Sequence, residues 1–263
     1  MSTITATHAA PVTERPTGRG LSFGRLLHVE LRKQVDTRAG RGLLVAIAVL
    51  SLGALAGVLW FSRHDGAGFT TLVQTAAIPQ GMLIPVLGII TACNEWSQRT
   101  ALVTFTQEPR RWRVIAAKTL AAIIWATGFL LLAWGVAALA HAASMGAAGN
   151  PVHFDLTGRD YLAGWIEQVV GVLMGLAFGF LVLVTPAAIA AYFIVPSLVT
   201  GLVMGVPALR RFQEWVSTTT PPMSADPIDP VTDPWAKFAT SMLFWVVIPF
   251  SVGVVRVLRR EVK

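Results

Sequence analysis

The sequence predicts an all-α integral membrane protein. Six helices span the membrane, an amphipathic helix lies on its surface ahead of them, and both termini are cytoplasmic. Three observations carry this. Of 263 residues, 54% are hydrophobic and 13% charged, where a soluble domain carries about 25% charge. The apolar residues gather into six runs, each close to the ~20 residues that a spanning helix needs. The basic residues fall almost entirely between those runs, and unevenly so.

Residues 1–20 are rich in Thr, Pro, Ala and Arg and are expected to form a disordered cytoplasmic tail. Residues 21–41 read as a helix. Leu27, Leu31 and Val35 recur at i, i+4 and i+8, while Arg25, Arg32, Lys33 and Arg38 supply a basic side that also carries Glu30. That pattern suits a helix lying along the inner membrane surface; a solvated cytoplasmic helix is the blander reading.

Residues 42–263 form the six-span domain. The expected spans are 42–61, 71–93, 119–140, 161–184, 186–206 and 238–255, the last being the shortest. Some forty polar residues precede the first run, so it reads as a retained span rather than a signal peptide. The turn between the fourth and fifth spans is tight, around Thr185 and Pro186, and Pro186 suits the first turn of a helix. The loop 207–237 is the largest. A short amphipathic helix with Phe212 and Trp215 is expected at its start, followed by an extended stretch with five prolines and with Asp226, Asp229 and Asp233.

Charge orients the spans. With the N-terminus inside, sixteen of the 21 Lys and Arg residues lie on the cytoplasmic side, as the positive-inside rule requires. The net charge is +7 and the sequence pI about 10.5. No nucleic-acid-binding motif accompanies that charge, so topology explains it better than nucleic acid does. Seventeen arginines against four lysines, with abundant alanine, hint at a bacterial source and hence at a bacterial plasma (inner) membrane.

Catalytic chemistry is absent from the pattern. None of the four lysines follows a glycine, so no phosphate-binding loop of the Walker type is present. The single cysteine, Cys93, excludes an internal disulfide and reads as a small packing residue. His153 with Asp155 and Asp160 lacks a metal-ligand spacing and reads as an ordinary polar loop. The chain is expected to bind no metal or cofactor of its own.

Polar groups inside the spans are the candidates for function. Glu167 is an intramembrane acid in the fourth span. Such a carboxylate is a functional candidate by default, although a packing role, protonated or bonded to Gln168, weighs as much. Gln74, Gln80, Pro79 and Pro85 make the second span polar and kinked, and Pro196 does the same for the fifth. Helices of this kind line a cavity or an interface more often than they face lipid. Small-residue motifs at Gly53 and Gly57, at Gly171, Gly175 and Gly179, and at Gly201 and Gly205 permit close helix crossings within or between chains.

The stretch 94–118 is the densest polar and basic segment. Glu95 is followed by Arg99-Thr100, then Pro109-Arg110-Arg111, Arg113 and Ala117-Lys118, and Glu30-Leu31-Arg32-Lys33 precedes the first span. Together these residues resemble the membrane subunit of ATP-binding-cassette exporters of the type-2 permease class (ABC-2). The likeness is sequence-specific over roughly residues 26–38 and 94–118, and architectural elsewhere. Two departures stand out: Arg99 replaces the glycine that often precedes the threonine, and the junction of spans four and five lacks a basic residue common there.

The resemblance implies a permease subunit, itself no enzyme, paired with a second permease copy and driven by a separate ABC ATPase that holds ATP and Mg. It implies that Glu95, Arg99, Thr100, Arg110, Arg111 and Arg113 couple to that ATPase, beside the helix bearing Arg25, Glu30, Arg32 and Lys33. Gln74, Gln80, Pro85 and Pro196 become candidates for the path of an amphipathic or hydrophobic substrate, such as a drug, lipid or peptide. Locally, Glu95 and Arg99 stand at i and i+4, a spacing that supports a helical turn. A non-transporting sensor, or a membrane anchor for a cytoplasmic partner, remains the alternative.

Overall fold

The computed structural model describes residues 21–217 and 234–260, and all regular structure among them is helical. Ten helices follow in order: α1 Phe23–Asp36, α2 Arg38–Phe61, α3 Phe69–Ser97, α4 Ala101–Gln107, α5 Arg111–Ala147, α6 Gly158–Val182, α7 Thr185–Gly205, α8 Gln213–Ser217, α9 Pro234–Met242 and α10 Ile248–Arg259. Helices α2, α3, α5, α6 and α7, with the continuous run Pro234–Arg259, are six segments long and apolar enough to cross a membrane. The expected tail 1–20 and the proline-rich stretch with Asp226, Asp229 and Asp233 lie outside the described residues.

Several helices outrun the expected spans, for local reasons. The Thr37 side chain accepts from the Gly40 amide at 3.1 Å, so α2 begins at Arg38. Helix α5 has 37 residues and rises about 55 Å, against a hydrocarbon core of about 30 Å. It therefore takes in Arg111 through Lys118, which the sequence reading grouped with the central loop. In the last span, Pro249 cannot donate to the preceding turn, and the chain widens into a π-helical segment, Leu243–Val247, just before it.

Helices α3 and α6 pack most extensively and form the centre of the bundle. The crossing depends on missing side chains. A Cβ at Gly175 would fall on the Pro85 carbonyl oxygen, one at Gly179 on the Ala92 methyl, and one at Gly88 on the Val172 carbonyl oxygen. The α6 glycine motif is thus spent inside the chain, whereas Gly53, Gly57, Gly201 and Gly205 meet nothing within 4 Å. Gly253 lets α10 approach Phe180 and Leu181 of α6. The main core gathers Ile47, Ile84, Ala122, Val172, Leu176 and Phe180. Helix α7 is peripheral, with only Ala188 and Val203 buried.

The tight turn after α6 sits where the sequence placed it. Leu183 adopts a left-handed conformation (φ 62°), and its amide closes on the Gly179 carbonyl at 2.8 Å. Beside that turn, Arg256 of α10 donates to the Leu181 carbonyl at 2.6 Å. The expected amphipathic helix after α7 resolves into a 3-10 turn, Pro207–Phe212, followed by α8. Trp245 Nε1 and Ser241 Oγ both donate to the Val216 carbonyl, at 2.6 and 3.2 Å, and hold α8 against the last span.

Candidate functional site

Two polar features occupy opposite halves of α3, centred on Glu95 and on Gln74. The first is a closed ring of four charges. Lys118 of α5 donates to Glu30 Oε2 of α1 at 2.8 Å and lies 2.5 Å from Glu95 Oε1 of α3. Lys33 of α1 donates to Glu30 Oε1 at 2.6 Å and to Glu95 Oε1 at 2.9 Å. Two acids and two lysines alternate, so the ring is neutral. The side chains of Glu30, Glu95 and Lys118 are 4–5% exposed, and that of Lys33 is 28% exposed. The ring pins three helices to one another, because an opened pair would leave a buried charge uncompensated.

Neighbouring groups extend this clasp. Gln34 donates to Thr91 Oγ1 at 2.6 Å, and Thr91 donates to the Leu87 carbonyl at 2.7 Å. Trp125 of α5 donates to the Leu31 carbonyl at 3.2 Å. The face that α1 turns inward is therefore Leu26, Glu30 and Gln34. The expected stripe of Leu27, Leu31 and Val35 lies beside it, only partly covered. Arg25 and Arg32 point outward, and Arg32 meets Asp36 in an exposed pair at 3.0 Å.

The pairing of Glu95 with Arg99 does not form. Helix α3 ends at Ser97, and Arg99 takes a left-handed conformation (φ 56°) in the turn that follows. Glu95 turns inward to the lysines while Arg99 and Thr100 stand exposed. The three downstream arginines find partners inside the chain. Arg111 donates from one nitrogen to the Val257, Leu258 and Arg260 carbonyls at 2.9, 3.2 and 2.8 Å, and so caps the end of α10. Arg110 and Arg113 both reach Glu108, at 3.1 and 2.5 Å, and Arg113 also donates to the Leu21 carbonyl at 2.8 Å. Burial alone would raise the Glu108 carboxyl, but hydrogen bonds from Arg110 and the charge of Arg113 outweigh it. They hold the carboxyl below the usual carboxylate range.

Between these two anchors lies α4. Its Leu102 and Val103 are more than half exposed, while Phe105 packs toward Trp96 and under Arg111. A cleft of about 420 Å³ separates α4 from α1 and opens beside Lys33 and Glu108.

The second feature is a cavity of about 400 Å³ between α3, α5 and α6, with Tyr192 of α7 at its side. It brings Gln74, Pro85 and Glu167 together. Gln80 lies behind the wall: Gln168 donates to Gln80 Oε1 at 3.0 Å, and Gln80 donates to the Phe129 carbonyl at 3.4 Å. Gln168 is thus committed to Gln80 rather than to Glu167. Pro196, on α7, does not line the cavity. At this end His141 joins two loops, its Nδ1 2.7 Å from the Ala67 carbonyl oxygen and its Nε2 2.9 Å from that of His153.

Sequence reasoning passed over Gln34, Thr91, Glu108, Trp134 and Tyr161 as site residues, and it noted Lys118 only among the residues that carry the resemblance. Among the described residues, no group of three His, Cys, Asp or Glu side chains could hold a metal ion. No family model, no curated protein and no solved structure matches the chain.

Proposed function

We propose that the chain is the permease subunit of an ATP-driven exporter in a bacterial plasma membrane. Its termini and α4 face the cytoplasm, and α1 lies along the inner membrane surface. It works as a pair of permease copies with a separate ABC ATPase, which binds ATP and Mg. The chain has no catalytic part; it forms the path for an amphipathic or hydrophobic substrate.

One observation carries this reading. Helix α4 is a short surface helix that presents Leu102 and Val103, and it is mounted between two stiff anchors. Behind it, the charge ring joins α3 and α5 to α1. Beside it, Glu108 ties Arg110 and Arg113. A push on α4 passes into two spanning helices instead of being absorbed by a loose loop. Arg99 and Thr100, exposed next to it, add polar contacts for a partner. The resemblance over 94–118 names the partner as an ATPase.

The test is affinity capture of the tagged full-length chain from its native membrane, read by mass spectrometry. The expected result is a P-loop ATPase and a second permease copy. Leu102→Asp with Val103→Asp should abolish ATPase capture while membrane insertion and the second copy persist. No ATPase in the wild-type capture, or a kinase in its place, would overturn the reading in favour of a sensor.

A further inference from the structure

We infer that the cavity between α3, α5 and α6 is a binding site for a lipophilic organic cation. Its volume of about 400 Å³ lies within the usual range for small-molecule sites. It runs from Thr70 to Pro85 along α3, about 20 Å, so it reaches from the loop end of the bundle to mid-helix depth.

The charge is one-sided. Glu167 and Asp160 both line the cavity, and no Lys, Arg or His does. The Asp160 carboxylate is occupied, accepting from the Thr157 amide and hydroxyl at 2.8 and 2.6 Å. Among the described residues Glu167 has no ion pair and no hydrogen bond. An anion would be repelled here, and a neutral guest would leave Glu167, an exposed side chain, without a polar partner. A bare metal ion lacks the further ligands it would need. An organic cation meets the remaining requirements. Trp134 and Tyr161 stand edge to face with ring centroids 4.9 Å apart, and Tyr192 contributes a third ring to the lining. Aromatic faces attract cations, more strongly where water is excluded. Gln74 offers a carboxamide at the loop end, and apolar groups such as Leu130 and Met174 complete the walls.

As a substrate assignment this rests on the permease reading above; as a binding site it does not. The probe pair is tetraphenylphosphonium and tetraphenylborate, ions of matched size and shape and opposite charge. Binding is measured by calorimetry on the full-length chain in lipid nanodiscs. The expected result is saturable binding of the cation alone. Glu167→Gln should weaken it about tenfold or more, and Glu167→Asp should retain it within a few fold. Should Glu167→Gln fail to fold, Tyr161→Leu provides the second arm, with an expected several-fold loss. Equal binding of both ions, or cation binding indifferent to Glu167→Gln and Tyr161→Leu, would overturn the site. So would a Glu167→Gln chain that changes oligomeric state while the wild type binds no cation, because the cavity would then be a subunit interface. Cation binding with no ATPase captured would leave the site standing and remove the permease reading; the converse would do the reverse.

Discussion

Replacing Lys118 by Met tests the charge ring directly. The substitution keeps the length of the side chain and removes the cation that lies 2.8 Å from Glu30 and 2.5 Å from Glu95. At an effective dielectric constant of about 20, each contact is worth roughly 6 kcal/mol before desolvation. Withdrawing the lysine from water offsets several kcal/mol of that. What remains in the variant is Lys33 between two carboxylates, an uncompensated negative charge at a site about 5% exposed. Breaking a buried pair in this way costs about 3–5 kcal/mol. The double variant Glu30→Gln with Lys118→Met leaves Lys33 and Glu95 as a neutral pair and should recover more than half of the loss. Both are measured by equilibrium unfolding in mixed micelles, followed by tryptophan fluorescence. If Lys118→Met lies within about 1 kcal/mol of wild type, or the two substitutions simply add, then the four charges do not act as one unit.

Two more outcomes follow from local geometry. Glu108 is held below the usual carboxylate range. Its ionised form therefore contributes stability that is present above the unfolded value and lost as pH falls through the folded one. The thermal stability advantage of wild type over Glu108→Gln should be full at neutral pH and fade only near and below about pH 4; an advantage independent of pH would contradict the assignment. Gly175→Ala drives a methyl onto the Pro85 carbonyl and should cost roughly 1–3 kcal/mol in the same unfolding assay. Gly53→Ala and Gly201→Ala, with open space around them, should be neutral or slightly stabilising.

The six helices were legible because each is an apolar run of spanning length, and the uncharged tight turn before α7 was legible from Pro186. The charge ring was not. Its contacts join residues 62 and 88 positions apart, and no local pattern encodes such a pairing. The i+4 spacing of Glu95 and Arg99 suggested a wrong partner because it presumed that the helix continues past Ser97. The resemblance assigns the arginines after Pro109 to an ATPase contact, yet Arg111 caps a helix almost 150 residues away. On α1, the sequence favoured the row of Leu27, Leu31 and Val35, while the inward row carries Glu30 and Gln34. Periodicity ranks faces by hydrophobicity, and a buried polar clasp inverts that ranking. The cavity was half visible: Gln74, Pro85 and Glu167 were singled out one by one, but only the fold brings them to one space.

Helix α5 is fastened near both ends and nowhere broken. Lys118 is held in the charge ring and His141 between two loop carbonyls, with about 35 Å of uninterrupted helix between them. A rod without a break moves as one piece. Tilting its full length by about 5° around the midpoint displaces each tip by roughly 2.4 Å in opposite directions. Leu130 and Trp134, on the cavity wall, lie one and five residues past that midpoint, so the same tilt moves them by only about 0.1 and 0.7 Å. The cavity wall that α5 supplies therefore stays nearly still while the two ends of the helix move.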